Sequence, residues 1–111
     1  MKRVAAIQMA SGPNVDANLI EAGRSLKAAA DAGARLIVLP ENFAFMGLSE
    51  MDNLKFAEKD GSGKIQDFLS EQAEKNNVWI VGGTTPIVSD EPAKINAACL
   101  VYDDKGQRVS R

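Results

Sequence analysis

Four apolar runs of strand length punctuate the chain, at Val4 to Met9, Leu36 to Leu39, Val78 to Val81 and Ile95 to Tyr102. Between the first two, Leu19, Ile20, Gly23, Leu26, Ala29 and Ala30 recur at helical spacing. Glu21, Arg24, Ser25, Lys27 and Asp31 fall elsewhere, which predicts an amphipathic helix to about Ala32 with one buried stripe. Asn14 or Asp16 is placed to cap its start by accepting backbone N–H bonds, and Gly33 suits its C-terminal cap. Strand, helix and strand so closely coupled predict a right-handed βαβ unit. The second strand is wholly apolar, as strands of a helix-covered parallel sheet are. Ligands of such sheets bind beyond the carboxyl ends of the strands, and Glu41 follows this strand at once after Pro40.

From Glu41 to Gly63 the pattern is irregular, with a short helix predicted around Met51 to Phe56. A second helix is predicted from Lys64 to Lys75, burying Ile65, Phe68, Leu69, Gln72 and Ala73. Asn76-Asn77 ends it, and the strand at Val78 to Val81 follows. Gly82-Gly83-Thr84-Thr85-Pro86 is expected to leave the sheet. Asp103-Asp104-Lys105-Gly106 reads as a hairpin turn after the Ile95 to Tyr102 strand, with a returning strand from Gln107. The sequence stops inside that element, so residues 1–111 are expected to be part of a larger domain.

Composition narrows the class more than the function. The chain has 111 residues, enough for one domain or part of one, and ordinary proportions of apolar and charged residues. A net charge of −2 with scattered Lys and Arg gives no footprint for nucleic acid or an anionic membrane. No run approaches the roughly 20 apolar residues of a membrane span, and the N-terminal run is too short and polar for a signal peptide. A cytoplasmic location is the expectation. Cys99 is the only cysteine, so no intramolecular disulfide forms. The absence of histidine excludes Cys–His and Ser–His pairs.

Other candidates read as structure. Cys99, flanked by Ala97, Ala98, Leu100 and Val101, is expected to be a buried, inert residue rather than a nucleophile. Lys94 reads as a solvated loop charge. Gly61-Ser62-Gly63 and Gly82-Gly83 lack the order of a phosphate-binding loop and read as turn glycines. Asp103-Asp104 reads as a turn rather than a metal site. Phe43, Phe45 and Met46 either line a pocket beside Glu41 or pack their loop against the sheet.

Taken in order, Ala6-Ile-Gln-Met9, the helix beginning near Asn18-Leu19, Gly33 to Phe43, Trp79-Ile-Val-Gly-Gly83-Thr, Lys94-Ile-Asn96-Ala and Tyr102-Asp-Asp-Lys-Gly106 resemble the nitrilase, or carbon–nitrogen hydrolase, superfamily. The likeness spans essentially the whole chain. Glu41-Asn-Phe-Ala-Phe-Met-Gly47 is similar to the branch of deaminated-glutathione amidases and ω-amidases, although Leu48 stands where many relatives carry tyrosine. The resemblance implies an α/β fold, the N-terminal half of a four-layer α-β-β-α sandwich, with an inner sheet face packed on a second sheet. It also implies a homo-oligomer, a small amide as substrate, and no cofactor or metal. Finally it implies a Glu–Lys–Cys triad of which Glu41 is the glutamate, with a proton affinity raised by partial burial. The family's lysine and cysteine fall beyond Arg111, so the chain alone is expected to be inactive. Two other readings stay open: a non-enzymatic half-domain that docks a partner through an open sheet, and a nucleotide binder built on the same βαβ pattern without its glycine fingerprint.

Overall fold

A computed structural model describes residues 2–49 and 51–111. Five strands lie in one sheet in chain order: β1 (Arg3–Ala6), β2 (Ala34–Leu39), β3 (Trp79–Val88), β4 (Ile95–Tyr102) and β5 (Arg108–Ser110). The first three are parallel and the last two add antiparallel. Helices α1 (Val15–Asp31) and α3 (Lys64–Asn76) are the crossovers, packed on the sheet and on each other, and α2 (Asp52–Phe56) is one short turn. The architecture is the α/β arrangement expected, with a single layer of helices.

Local chemistry sets the helix ends. The Asn14 side chain accepts the N–H of Ala17 at 3.0 Å, capping α1. Gly33, just past the end, has φ 98°, which Cβ-bearing residues resist. The buried stripe of α1 is rotated from the expected one: Asn18, Leu19, Ala22 and Leu26 are buried, while Ile20 is 59% exposed. The turn spacing of 18, 22 and 26 aims that line at the sheet and leaves Ile20 on the flank.

α3 has no capping side chain of its own. The carboxylate of Glu58 instead accepts the N–H groups of Ile65 (2.6 Å) and Gln66 (3.1 Å). Glu58 is fixed by a backbone bridge to β3, donating its N–H to the carbonyl of Pro86 and accepting the N–H of Val88, both at 2.9 Å. This bridge explains a departure from expectation. Gly82 to Pro86 does not leave the sheet, because the ladder on that side uses only the Pro86 carbonyl and so tolerates its missing N–H.

Gly82 and Gly83 are accordingly strand glycines rather than turn glycines. A Cβ on Gly82 would lie 2.5 Å from Leu69 Cδ1, and Leu69 is fully buried on α3. The hydrogen atom at Gly82 is what lets the helix sit down on β3.

Strand alternation turns Ile37, Leu39, Ile80, Ala98, Leu100 and Tyr102 toward the helices, where they are buried. The opposite face carries two adjacent apolar rows, Val4–Leu36–Trp79 and Ala6–Val38–Val81–Val101, as the strand register dictates. Among the described residues nothing covers it, and Val4 and Trp79 are 72% and 42% exposed. Cys99 lies on this face and is exposed, contrary to its expected burial. Its apolar neighbours in sequence point alternately to the core and to the open face, so they do not enclose it.

At the far edge, Asp60 receives Arg108 at 2.5 Å and Arg111 at 3.0 Å. The hydrogen bond from Arg108 holds the Asp60 carboxyl below its ordinary range, with Arg111 adding to the effect. A depressed carboxyl stabilises the fold above its unfolded value of about pH 4 and loses that contribution as pH falls through the folded value. Asp60→Asn is therefore expected to lower the denaturation midpoint at neutral pH, with the difference from wild type shrinking below about pH 4. Gly82→Ala is expected to cost about 1–3 kcal/mol by overpacking, read from urea unfolding. Leu69→Ala in the same chain should recover part of that loss, since it removes the obstructing atoms.

Candidate functional site

The end of β2 delivers the chain through Pro40 to Glu41, and the following residues form a loop held on several sides. Asn42 takes φ 54°, a left-handed conformation tolerated by asparagine. Its N–H donates to the Thr84 hydroxyl at 3.1 Å, and that hydroxyl lies 3.3 Å from the Asn42 side-chain oxygen. The loop is thereby clipped to β3, one strand away.

On the other side it is tied to the segment between β1 and α1. The Ser11 hydroxyl donates to the carbonyl of Phe43 at 2.7 Å, and the N–H of Met46 donates to the carbonyl of Gly12 at 3.0 Å. Between them sits the buried amide of Asn18. Its Nδ2 donates to the carbonyls of Gly12 and Ala44, each at 2.8 Å, and its Oδ1 accepts the N–H of Gly12 at 3.0 Å. One side chain thus holds two loops in register from the first turn of α1.

Phe43 and Phe45 anchor the loop from beneath. Phe43 is fully buried, its ring centroid 6.5 Å from that of Phe68 on α3. Phe45 packs on Phe56 of α2 at 4.3 Å. Among the described residues both rings are buried. Met46 is 46% exposed. Beyond it, the Asp52 carboxylate accepts the N–H groups of Leu48 and Ser49 at 3.0 and 3.1 Å, closing the loop onto α2.

Glu41 itself is exposed and, among the described residues, makes no side-chain hydrogen bond or ion pair. The partial burial expected for it is not supplied by these residues. It is an unengaged carboxylate on a rigid mount at the carboxyl end of a central strand, available to accept a proton or a donor. Lys94 pairs with Glu91 at 3.1 Å and is solvated, as expected, while Cys99 stands on the open sheet face. Neither forms a hydrogen bond or ion pair with Glu41. No cluster of three metal-ligating side chains occurs among the described residues.

Asn18 and Thr84 were not singled out by pattern. Asn18 did leave a trace: an amide standing at the head of the 18, 22, 26 line signals a buried polar group with partners to find. Asn18→Ala would leave two carbonyls and one N–H without that partner. It is expected to cost about 2–3 kcal/mol in urea unfolding and to speed amide exchange at Met46.

The sequence profile of the family described as Carbon-nitrogen hydrolase matches residues 3–111. The chain is 34% identical over 109 residues to nitrilase homolog 2 of Dictyostelium discoideum, covering 98% of this chain and 33% of that protein. It is 36% identical over 108 residues to the deaminated glutathione amidase of Synechocystis, covering 96% of this chain and 39% of that one. Among solved structures it is similar to Nit3 of Saccharomyces cerevisiae, a member of branch 10 of the nitrilase superfamily. The TM-score is 0.85 with 27% identity, over 96% of this chain and 41% of the other. The chain thus spans between a third and about two fifths of the length of these relatives.

Proposed function

Because the chain belongs to the carbon–nitrogen hydrolase family, we propose that it supplies the general base of an amidase. The overall reaction is hydrolysis of a small carboxamide, amide plus water giving carboxylic acid plus ammonia. Residues 1–111 form the N-terminal part of a single domain of that kind. The observation that carries the reading is Glu41: exposed, unpaired among the described residues, and fixed where α/β sheets present their working groups.

In this mechanism Glu41 takes the proton of a cysteine thiol as the sulfur attacks the amide carbon. A lysine stabilises the developing oxyanion. The proton passes to the departing amine, ammonia leaves and a thioester remains. Glu41 then draws a proton from water, whose oxygen attacks the thioester and restores the thiol. Cys99 and Lys94 are not assigned these roles, given their separate placement. Met46 and Leu48, both exposed on the loop beside Glu41, set part of the acyl preference, with Phe43 and Phe45 buried in the same loop. The enzyme acts in the cytoplasm as a homo-oligomer and uses no cofactor. Among the described residues no helix is long and apolar enough to cross a membrane.

A second reading is favoured by the uncovered rows of Val4, Val38 and Trp79: a half-domain that docks a protein partner through its sheet without catalysis.

The chain alone, given a small ω-amide, is expected to release no ammonia above background. Ammonia release abolished by Glu41→Gln in this chain would overturn that expectation and return Cys99 to consideration. In a longer chain carrying the lysine and cysteine, Glu41→Gln is expected to lower kcat by about 10²–10⁴-fold with a smaller change in KM. Unchanged kcat there would remove the proposed role and favour the docking reading.

A further inference from the structure

A carboxylate that makes no contacts of its own is aimed by the backbone on either side of it. Glu41 is such a group among the described residues. On its N-terminal side, β2 ends its pairing with β3 at Leu39, opposite Gly82, and Pro40 then fixes φ at about −65°. On its C-terminal side, the first group free to turn is the peptide that joins Glu41 to Asn42. Asn18 holds the loop further on, at Ala44. The Glu41–Asn42 peptide is held by Thr84 instead, its N–H donating to the Thr84 hydroxyl at 3.1 Å. The same hydroxyl donates back to Asn42 Oδ1 at 3.3 Å, so it both accepts from and donates to one residue.

Thr84 reaches this peptide because β3 carries an extra residue there. Gly82 pairs with Leu100 and Thr85 with Ala98, so Gly83 and Thr84 together stand opposite Cys99 alone. That is a β-bulge, a device that re-aims a side chain. In a regular strand Gly82 and Thr85, three apart, would face opposite sides of the sheet. Here both are buried, and their partners Leu100 and Ala98 are buried with them. The Thr85 hydroxyl donates to the Gly82 carbonyl at 3.2 Å, bracing the bulge from the core side. A Cβ at Gly83 would lie 3.1 Å from Cys99 Sγ, so the glycine lets the two strands stay close across it. Thr84, half-buried, is left to turn toward the end of β2.

We infer that Thr84 is a positioning residue for the amidase reaction, acting through Asn42 on the direction of Glu41; this rests on the proposed role of Glu41 as base. The φ of 54° at Asn42 costs an L residue energy, and the two bonds to Thr84 offset that cost. Without the hydroxyl, Asn42 is free to relax toward negative φ. That turns the peptide plane and swings the Glu41 carboxylate off its line. A base displaced by about 1 Å loses rate more than the enzyme loses substrate affinity.

Thr84→Val keeps the branched shape and removes the hydroxyl, whereas Thr84→Ser keeps the hydroxyl. In residues 1–111, Thr84→Val is expected to speed exchange of the Asn42 amide about tenfold, with Thr84→Ser close to wild type. Equal exchange in all three would overturn the inference at its first step. In the longer chain carrying the lysine and cysteine, Thr84→Val is expected to lower kcat about 10–100-fold, with KM changed less than about twofold. Thr84→Ala is expected to match Thr84→Val, and Thr84→Ser to recover most of the loss. In a Glu41→Gln background the further effect of Thr84→Val should vanish, because it acts through that carboxylate. A loss that persists undiminished beside Glu41→Gln would overturn the coupling and leave Thr84 a structural residue. Full kcat in Thr84→Val, with Glu41→Gln impaired, would overturn the positioning role and leave the base standing. Full kcat in Glu41→Gln would overturn both.

Discussion

The site rests on one buried amide. Asn18 spends both ends of its side chain on backbone groups of two different loops, and nothing else in the first turn of α1 reaches both. Its burial makes these bonds matter, because an unpaired polar group there costs more than the bond itself contributes. The position of Ala44, and with it the direction in which the chain leaves Glu41, follows from where α1 begins. That beginning is set in turn by Asn14. The carboxylate is thus located by capping chemistry at Asn14, 27 residues upstream of it, rather than by its own contacts.

The pattern of the chain carried the layout of the fold well. Strands β2 and β4, the hairpin at Asp103–Gly106 and all three helices lie where apolar periodicity and turn residues put them. These are features a residue expresses through its neighbours in sequence. What pattern did not carry were contacts between distant segments. The extension of β3 through Pro86 depends on Glu58 bridging from outside the named strands. The burial of Gly82 depends on Leu69, and the exposure of Cys99 on what lies across the sheet. The placement of Glu41 was legible from the apolar strand before it and Asn18 left its trace at the head of the 18, 22, 26 line, whereas Thr84 and Gln66 became legible only through their partners.

The two faces of the sheet separate the chemistry of the molecule. One face is closed by helices through a core of Leu26, Ile37, Leu69 and Ile80. The other presents valines and a tryptophan in lateral rows, with Glu41 at the end of the strand that joins them. Among the described residues every buried side-chain polar atom has a partner: Gln66, for example, bonds Gly61, Lys59 and Ser62 through its amide and also meets Glu58. Membership in the carbon–nitrogen hydrolase family fits this division, since its fold stacks two such sheets.

The cap on α3 has a consequence for how the sequence is free to drift. Gly63 takes φ 137°, and any side chain there would run into the carboxylate of Glu58. Glu58 in turn holds that carboxylate over the helix end because its own backbone is stitched to β3. Neither position can change by itself without uncapping the helix or colliding with the cap. Although five residues apart and in no common element, Glu58 and Gly63 form a single unit of inheritance, to be kept or exchanged together.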